Sequence, residues 1–304
     1  MIPSKTWSKT WLAPAKLNLF LHITGRRADG YHLLQTLFQI VDLYDELKFH
    51  PRDDQQITLR NQPADWLVDQ DLCVQAAKLL LPFCSSPMGV EIELTKKIPT
   101  GAGLGGGSSD AATTLMALNQ YWGLRLSQDQ LKKIGLQLGA DVPLFILGQT
   151  AWAEGVGEKL TPVELPHSWY LIITPDCQVP TATIFAAEQL TRNSPSSTIR
   201  AYLDGLNQNS HPLKSVSQPN QSDMTSNDCL AVVTAMYPPV ATAFNWLQQH
   251  AQAQLSGTGA SLFCQFDDRA AAEQLQQQVP TRWQSFVVQS VLHPEIENWG
   301  VAKR

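Results

Sequence analysis

The stretch Pro99-Thr-Gly-Ala-Gly-Leu-Gly-Gly-Gly-Ser-Ser109 decides the fold of this chain, because five of its eleven residues are glycine and two hydroxyl residues end it. Before it, residues 90–94 alternate in the pattern of a strand. After it, apolar residues from Ala111 to Trp122 recur at the spacing of one helix face. Strand, glycine loop and helix in this order predict an anion site, because bare backbone N–H groups meet the positive end of a helix dipole. The stretch therefore suits a polyphosphate.

Two other glycine loops fit this stretch less well. Gly101, Gly103 and Gly106 match the spacing of the dinucleotide fingerprint, but that loop follows its strand directly, whereas residues 96–98 intervene here. The P-loop pattern fails at Gly107, where it requires lysine. A glycine-rich surface turn without a ligand is the remaining alternative. The number of glycines argues against such a turn, because ordering glycine is entropically costly.

Length and composition indicate a globular protein. The chain has 304 residues, enough for one large or two ordinary domains, and 43% of them are hydrophobic. A net charge of −5 argues against a general nucleic-acid binder, which would carry a basic surface. Five widely spaced cysteines without a Cys-x-x-Cys pair indicate reduced thiols, and no apolar run reaches the roughly 18 residues of a membrane span. Trp7, Lys9 and Trp11 interrupt the place of a signal-peptide core, so we expect a cytoplasmic protein.

Two further segments carry polar side chains at positions where function and structure are both plausible. In residues 13–23, apolar side chains alternate with a face that begins with Lys16 and Asn18, which predicts a strand. Such a face is ordinarily exposed to solvent. Gly139-Ala-Asp-Val-Pro143 places Asp141 two residues before a proline, which is typical of a helix N-cap. From these residues alone, a structural and a functional role both stay open.

The glycine loop is similar to the phosphate loop of the GHMP kinase superfamily, and its triple glycine most resembles the diphosphocytidyl-methylerythritol kinase family. Five other segments also resemble that family, at residues 14–19, 25–32, 139–143, 180–185 and 255–266. The departures are minor: residues 100–102 in the variable part of the loop, Asp71 where relatives often have Asn, and a longer polar insert at 204–222. The resemblance covers nearly the whole chain.

The resemblance implies a two-domain α+β fold of the GHMP kinase type. An N-terminal α/β domain, residues 1–155, would bind ATP, and a C-terminal domain, residues 156–304, would be ferredoxin-like. Both substrates would lie in the cleft between the domains, a common place for ligand sites. The ATP-binding residues would be Pro99, Thr100, Gly101, Ala102, Gly103, Leu104, Gly105, Gly106, Gly107, Ser108 and Ser109.

The resemblance also implies roles for single residues. Asp141 would be the catalytic base, and Lys16 would hold the attacking hydroxyl. The substrate would be bound by Asn18, Tyr31, His32, Thr181 and Phe185. Among these, Tyr31 and Phe185 would stack on the two faces of a cytosine, and His32 would bond its edge.

The implied reaction is ATP-dependent phosphorylation of the 2-hydroxyl of 4-diphosphocytidyl-2-C-methyl-D-erythritol, in the non-mevalonate isoprenoid precursor pathway. ATP and Mg²⁺ are the implied cofactors, and neither a nucleic acid nor a membrane is an implied partner. The ligands of Mg²⁺ stay open. Ser108 or Ser109 is one candidate, and Glu154 and Glu158 are others.

Two alternative functions also stay open. The first is another small-molecule kinase of the superfamily, which would have no cytosine for Tyr31, His32 and Phe185 to bind. The second is a nucleotide-binding regulatory protein without catalysis, which would need neither Lys16 nor Asp141. Turnover of ATP that depends on the diphosphocytidyl alcohol distinguishes the three functions.

Overall fold

The computed structural model of the chain describes residues 7, 9–60, 70–208 and 226–291, with residues 205–208 described by their backbone only. Most of the predicted polar insert at 204–222 lies outside the described residues.

The described residues of the first half form a sheet of six strands built on one long strand. This strand, β2 (His32–Arg52), pairs with β1 (Trp11–Arg26), β4 (Gly89–Thr95) and β5 (Ala151–Glu154). β3 (Ile57–Arg60) pairs with β4, and β6 (Lys159–Pro162) pairs with β5. The pairs are antiparallel except for β3 with β4. The strand predicted over residues 13–23 is confirmed and lies within β1.

Helices pack with this sheet and with one another: α1 (Leu72–Leu80), followed by a 3₁₀ turn (Leu81–Phe83), α2 (Gly106–Tyr121), α3 (Gln128–Gly135) and α4 (Val142–Leu147). The sequence supplies caps for two of them. Asp71 accepts from the N–H of Cys73 at the start of α1, and Ser127 with Gln130 forms a capping box at the start of α3. The helix expected from Asp110 begins earlier, because the end of the glycine run forms its first turn.

The described residues of the second half form a four-stranded antiparallel sheet in the order β10–β7–β9–β8. Its strands are β7 (Trp169–Thr174), β8 (Gln254–Leu255), β9 (Leu262–Phe266) and β10 (Gln284–Gln289). Its helices are α5 (Thr181–Ala186), α6 (Ile199–Gln208), α7 (Leu230–Met236), α8 (Pro238–Gln248) and α9 (Arg269–Gln276). Counted along the chain, the strands lie in the order fourth, first, third, second. This order and the placing of the helices confirm the predicted ferredoxin-like topology. Pro180 is the N-cap of α5, which ends at Ala186.

The two sheets meet along an apolar cluster to which both contribute, including Phe20, Trp152 and Tyr170. The end of β1 continues into the second core, where Leu21 forms a bridge with Asn227. β1 therefore carries its polar face to the junction of the two halves. The expected domain boundary after residue 155 falls in the turn between β5 and β6, and the division into domains stays a prediction.

Candidate active site

A cleft of about 730 Å³ lies at the junction of the two halves of the chain. Its size is in the range of small-molecule sites. Most of the predicted site residues line it: Lys16, Asn18, Pro99, Thr100, Gly101, Ala102, Gly103, Gly105, Gly106, Gly107, Ser108, Asp141, Thr181 and Phe185. Leu104, Ser109, Tyr31 and His32 are not among the residues that line it.

The glycine loop packs closely against the turn that follows β8. A Cβ atom on Gly103 would lie 2.1 Å from the carbonyl oxygen of Ser256, and Gly103 has a φ of 77°, so only glycine fits there. The hydroxyl of Ser256 donates to the carbonyl oxygen of Gly103 at 2.9 Å. The Ser-Gly-Thr-Gly segment of the second half therefore holds the phosphate loop of the first half in place.

The end of the loop opens α2 without a side-chain cap. Gly105 is the N-cap, with a φ of 73°, and it has no side chain that could bond the first N–H groups. Gly106, Gly107 and Ser108 form the first helical turn and line the cleft. Because the first N–H groups of a helix have no partner within it, this turn presents donors and a positive dipole end to an anion.

Two loop residues serve the fold rather than the cleft. The side chain of Leu104 is buried in the core between the sheets, and its carbonyl oxygen accepts from the N–H of Lys16 at 3.0 Å. The side chain of Ser109 is also buried, and its Oγ atom has no hydrogen-bond partner. Ser108 is thus the serine of the loop whose side chain lies beside the cleft.

Lys16 and Asp141 form an ion pair in the cleft, with 3.5 Å between Nζ and Oδ2. The Lys16 ammonium also donates to Oδ1 of Asn18 at 2.5 Å. Asn18 is held in turn, because its Nδ2 atom donates to Oγ1 of Thr36 at 2.9 Å. Burial lowers the pKa of Lys16, and the carboxylate of Asp141 opposes this shift.

Asp141 occupies the N-cap position of α4 but does not act as a cap. Its side chain makes no capping hydrogen bond, and its carboxylate is directed to Lys16 instead. The expected position at the helix start is therefore confirmed, and the expected N–H bonds of a cap are not found. The carboxylate remains 31% exposed and is accessible from the cleft.

A buried charge cluster beside the loop was not foreseen from the sequence. Lys96 lines the cleft, and its ammonium donates to the carboxylates of Asp45 and Asp110. Asp45 also accepts from the N–H groups of Lys97 and Ile98 at 2.5 and 2.8 Å, whereas Oδ1 of Asp110 has no partner. Burial raises the pKa of Asp110 to about 7 against the opposing charge of Lys96, and Asp45 adds to the rise. The only local signal was a pair of lysines before the loop and an aspartate after it.

Phe185 lines the cleft, and His32 stacks on it. Their rings stack with 5.1 Å between centroids and 22° between planes. Thr181 and Thr258 bond each other through their hydroxyls at 3.0 Å. The side chain of Tyr31 is 65% exposed, so the ring beside Phe185 is that of His32. The expected sandwich of a cytosine between Tyr31 and Phe185 stays a prediction.

The two candidate glutamates for a metal are engaged elsewhere. Oε1 of Glu154 accepts from Nε2 of Gln35 at 2.7 Å, and Oε2 of Glu158 accepts from the N–H of Val156 at 2.6 Å. Neither glutamate is among the residues that line the cleft. Within the described residues, no group of three or more His, Cys, Asp or Glu side chains could hold a metal ion.

Comparison with known proteins assigns the chain to a family. The model of the GHMP kinase N-terminal domain matches residues 71–149, and that of the GHMP kinase C-terminal domain matches residues 215–285. A 4-diphosphocytidyl-2-C-methyl-D-erythritol kinase of Alkalilimnicola ehrlichii is 49% identical over 94% of this chain and 92% of the relative. The chain belongs to the 4-diphosphocytidyl-2-C-methyl-D-erythritol kinase family of the GHMP kinases.

Another relative and one solved structure agree with this assignment, and a second solved structure shares the fold. A relative of the same name from Cupriavidus taiwanensis is 48% identical over 92% of each chain. A crystal structure of a 4-(cytidine 5'-diphospho)-2C-methyl-D-erythritol kinase superposes with a TM-score of 0.76 at 30% identity, covering 92% of this chain and 98% of that one. The mevalonate kinase of Methanococcus jannaschii, with a TM-score of 0.65 at 16% identity over 95% of this chain and all of that one, shares the fold.

Membership in this kinase family makes the chain a small-molecule kinase. Among its described helices, none has both the length and the apolar content needed to cross a membrane.

Proposed function

We propose that the chain phosphorylates the 2-hydroxyl of 4-diphosphocytidyl-2-C-methyl-D-erythritol with ATP, in the non-mevalonate isoprenoid precursor pathway. One observation carries the proposal: the Lys16–Asp141 pair and the glycine loop line the same cleft as Phe185. A phosphate site, a candidate base and a surface for a second substrate thus face one space. Phosphoryl transfer depends on such positioning, because the attacking and leaving oxygens must lie in line.

The glycine loop would bind the phosphates of ATP. The first-turn N–H groups of α2 would donate to phosphate oxygens, and the helix dipole would favour their negative charge. Gly103 and Gly105 keep the loop free of side chains at the points where it meets Ser256 and Phe145. The backbone donors are thus held in place before the nucleotide arrives, which reduces the cost of ordering them.

In the transfer step, the substrate hydroxyl oxygen attacks the terminal phosphorus of ATP, and the bond from this phosphorus to the ADP oxygen breaks. Asp141 would take the hydroxyl proton, since its carboxylate is exposed to the cleft and is not used as a helix cap. Lys16 would stabilise the negative charge on the reacting oxygens. Asn18 accepts a hydrogen bond from the Lys16 ammonium and so orients it.

Mg²⁺ would neutralise the phosphate charge, as it does in kinases generally. Ser108 fits this ion, because its side chain lies in the first turn of α2 beside the cleft. Magnesium keeps several water ligands and also binds substrate phosphates, so its site needs few ligands from the protein. Glu154 and Glu158, which do not line the cleft, are not proposed as ligands.

The proposed partners are ATP and the diphosphocytidyl alcohol, and neither nucleic acid nor membrane is among them. We infer a cytoplasmic location. All five cysteines are free, in keeping with a reducing compartment, where thiols are kept reduced.

The test is ADP formation by the purified chain with ATP and Mg²⁺, measured with and without the diphosphocytidyl alcohol. We expect turnover that depends on this alcohol, and a product with phosphate on the 2-hydroxyl by phosphorus NMR. Turnover with mevalonate or homoserine, but not with the diphosphocytidyl alcohol, would favour another GHMP kinase. Tight ATP binding without turnover on any of these alcohols would favour the non-catalytic function.

A further inference from the structure

One arginine outside the predicted site bonds both Phe185, which lines the cleft, and His32, which stacks on Phe185. Arg192 follows α5, and its Nε atom donates to Nε2 of His32 at 3.1 Å. Its Nη2 atom donates to the carbonyl oxygens of Phe185 and Ala187 at 3.1 and 2.6 Å. Arg192 thus holds the end of the helix that carries Phe185 and, at the same time, the ring that stacks on Phe185.

The guanidinium of Arg192 uses each of its five N–H groups. Besides the three bonds above, Nη1 donates to the carbonyl oxygens of Leu190 and Glu188 at 3.1 and 3.4 Å. A guanidinium offers five donors in a fixed fork and no acceptor. Four of these donors bond carbonyl oxygens and so hold the planar guanidinium in place. The direction of the remaining Nε–H group is therefore fixed, and it is directed at His32.

This contact determines which nitrogen of His32 carries the proton. Arginine cannot accept a hydrogen bond and stays protonated in proteins, so Nε2 of His32 must be the acceptor. A neutral imidazole has one donor nitrogen and one acceptor nitrogen, so the proton lies on Nδ1. Burial lowers the pKa of His32, and the charges of Arg192 and Arg26 lower it further. The ring is therefore neutral at neutral pH, with Nδ1–H as its one free donor.

We propose that Arg192 is a positioning residue that fixes His32 as a hydrogen-bond donor at Nδ1 and thereby selects cytosine over uracil in the second substrate. This step rests on the proposed function. Cytosine has an acceptor at ring nitrogen N3, where uracil has an N–H group. A donor fixed at Nδ1 of His32 can hydrogen-bond N3 of cytosine. The same donor would face the N–H group of uracil, and two donors repel each other. An imidazole free to exchange tautomers would accept from uracil instead, and would discriminate less.

The first test is the tautomer itself, measured by NMR of the chain labelled with nitrogen-15 in histidine. The His32 signals are assigned by their loss in His32→Ala. We expect a protonated Nδ1 and an unprotonated Nε2 in the wild type, and growth of the Nε2–H form in Arg192→Met. A wild-type His32 protonated on Nε2 overturns the proposal. This readout needs no substrate, so it stands apart from the test of the proposed function.

The second test is the preference in kcat/KM for the diphosphocytidyl alcohol over its diphosphouridyl analogue. We expect Arg192→Met to reduce the preference by at least about tenfold, as the loss of one selective hydrogen bond predicts. Arg200→Met is the matched control, because that side chain is 92% exposed on α6, and we expect it to keep the wild-type preference. An unchanged preference in Arg192→Met overturns the proposal.

A double variant separates positioning through His32 from simple support of α5. If Arg192 acts through His32, the effect of Arg192→Met should be small when His32 is already alanine, because residues that act as a unit are not additive. The preference for the diphosphocytidyl alcohol should then differ by less than about threefold between His32→Ala and the double variant. If the two losses multiply, Arg192 only supports Phe185 and the helix end, and the proposal is wrong. The KM for ATP is measured alongside, and we expect it to stay unchanged in each variant.

Discussion

The Nζ atom of Lys16 and the Oδ2 atom of Asp141 lie 3.5 Å apart at the junction of the two halves of the chain. Lys16 comes from β1 and Asp141 from the residue before α4, so the pair forms only when strand and helix pack together. The Lys16 side chain is 5% exposed and that of Asp141 is 31% exposed. A buried cation beside an accessible carboxylate suits a site in which Asp141 takes a proton and Lys16 holds negative charge.

The first prediction concerns Asp141. Asp141→Asn keeps the shape of the side chain but cannot take a proton, so we expect kcat to fall by at least about 10²-fold while both KM values are retained. Thermal stability should fall, because the buried Lys16 ammonium loses its ion-pair partner, so kcat is measured below the melting temperature of the variant. Asp129→Asn is the control, since that side chain is 81% exposed in the first turn of α3. Near-normal kcat in Asp141→Asn would remove Asp141 as the base.

The second prediction concerns the partnership of Lys16 with Asp141. Lys16→Met should lower kcat by a similar factor of at least about 10², because the reacting oxygens lose a buried cation. The double variant should lose much less than the product of the two single losses, since residues that act as a unit are not additive. Kinetics of the four proteins measure this. Losses that multiply would show that the two residues act independently.

Local patterns predicted much of the fold and of the site. The alternation around Lys16 marks β1, and the glycine run marks the start of α2, because both are set by neighbours in the chain. The roles of the Lys16–Asp141 pair were implied by the resemblance to a family, because the residues alone left a structural and a functional role open for each. Its geometry follows from packing.

Long-range contacts could not be predicted in this way. Asp45 meets Lys96 only because β2 pairs with β4, and neither residue has a local pattern that distinguishes it from a surface charge. Arg192 lies in a segment without regular structure, and its role depends on His32 from another part of the chain. Such sites depend on tertiary packing and carry no periodic signal.

The third prediction compares two glycines of the same loop. Gly103→Ala places a Cβ atom 2.1 Å from the Ser256 carbonyl at a positive φ, so the variant should lose more than about 2 kcal/mol of unfolding free energy. Gly107→Ala makes an ordinary contact of 3.5 Å with Leu72 and should change stability by less than about 1 kcal/mol. Urea unfolding of both variants tests the contact between the loop and the turn that follows β8. Equal losses would contradict it.

The fourth prediction concerns Phe185. Its ring stacks on His32 and lines the cleft, so Phe185→Ala should raise the KM for the diphosphocytidyl alcohol by about tenfold or more, as the loss of one stacking face predicts. The KM for ATP should stay nearly unchanged. Phe83→Ala is the control, since Phe83 is 48% exposed in the first half of the chain. If both KM values rise together in Phe185→Ala, the ring is a core residue and not a binding surface.

The last prediction concerns pH and the cluster of Lys96, Asp45 and Asp110. Burial alone would lower the pKa of Lys96, but the two carboxylates outweigh it and raise that pKa, so the ammonium stays charged. One cation cannot neutralise two buried carboxylates. Asp45 also accepts two backbone N–H groups, so Asp110 is the residue that takes a proton, with a pKa of about 7.

Protonation of Asp110 links stability to pH with a definite sign. Above the unfolded pKa of 3.8 and below about 7, the folded chain holds a proton that the unfolded chain has released. The stabilisation from this proton is therefore complete below the unfolded pKa and is lost as pH rises to about 7. Its size is about 1.4 kcal/mol for each unit by which the folded pKa exceeds the unfolded pKa. Asp110→Asn removes it, because an amide keeps the shape and does not titrate. The free energy of unfolding of Asp110→Asn minus that of wild type should thus be larger at about pH 8 than at about pH 5.

Urea unfolding of wild type, Asp110→Asn and Asp129→Asn across this window measures the effect. The carboxyl of Asp129 is exposed, and hydrogen bonding to Lys132 lowers its pKa, so its loss should shift stability equally at each pH in the window. Parallel curves for wild type and Asp110→Asn would mean that Asp110 stays ionised beside Lys96. The phosphate loop would then lie next to a cluster with one uncompensated negative charge, and ATP affinity should rise in Asp110→Asn at every pH, because repulsion of the phosphates is relieved.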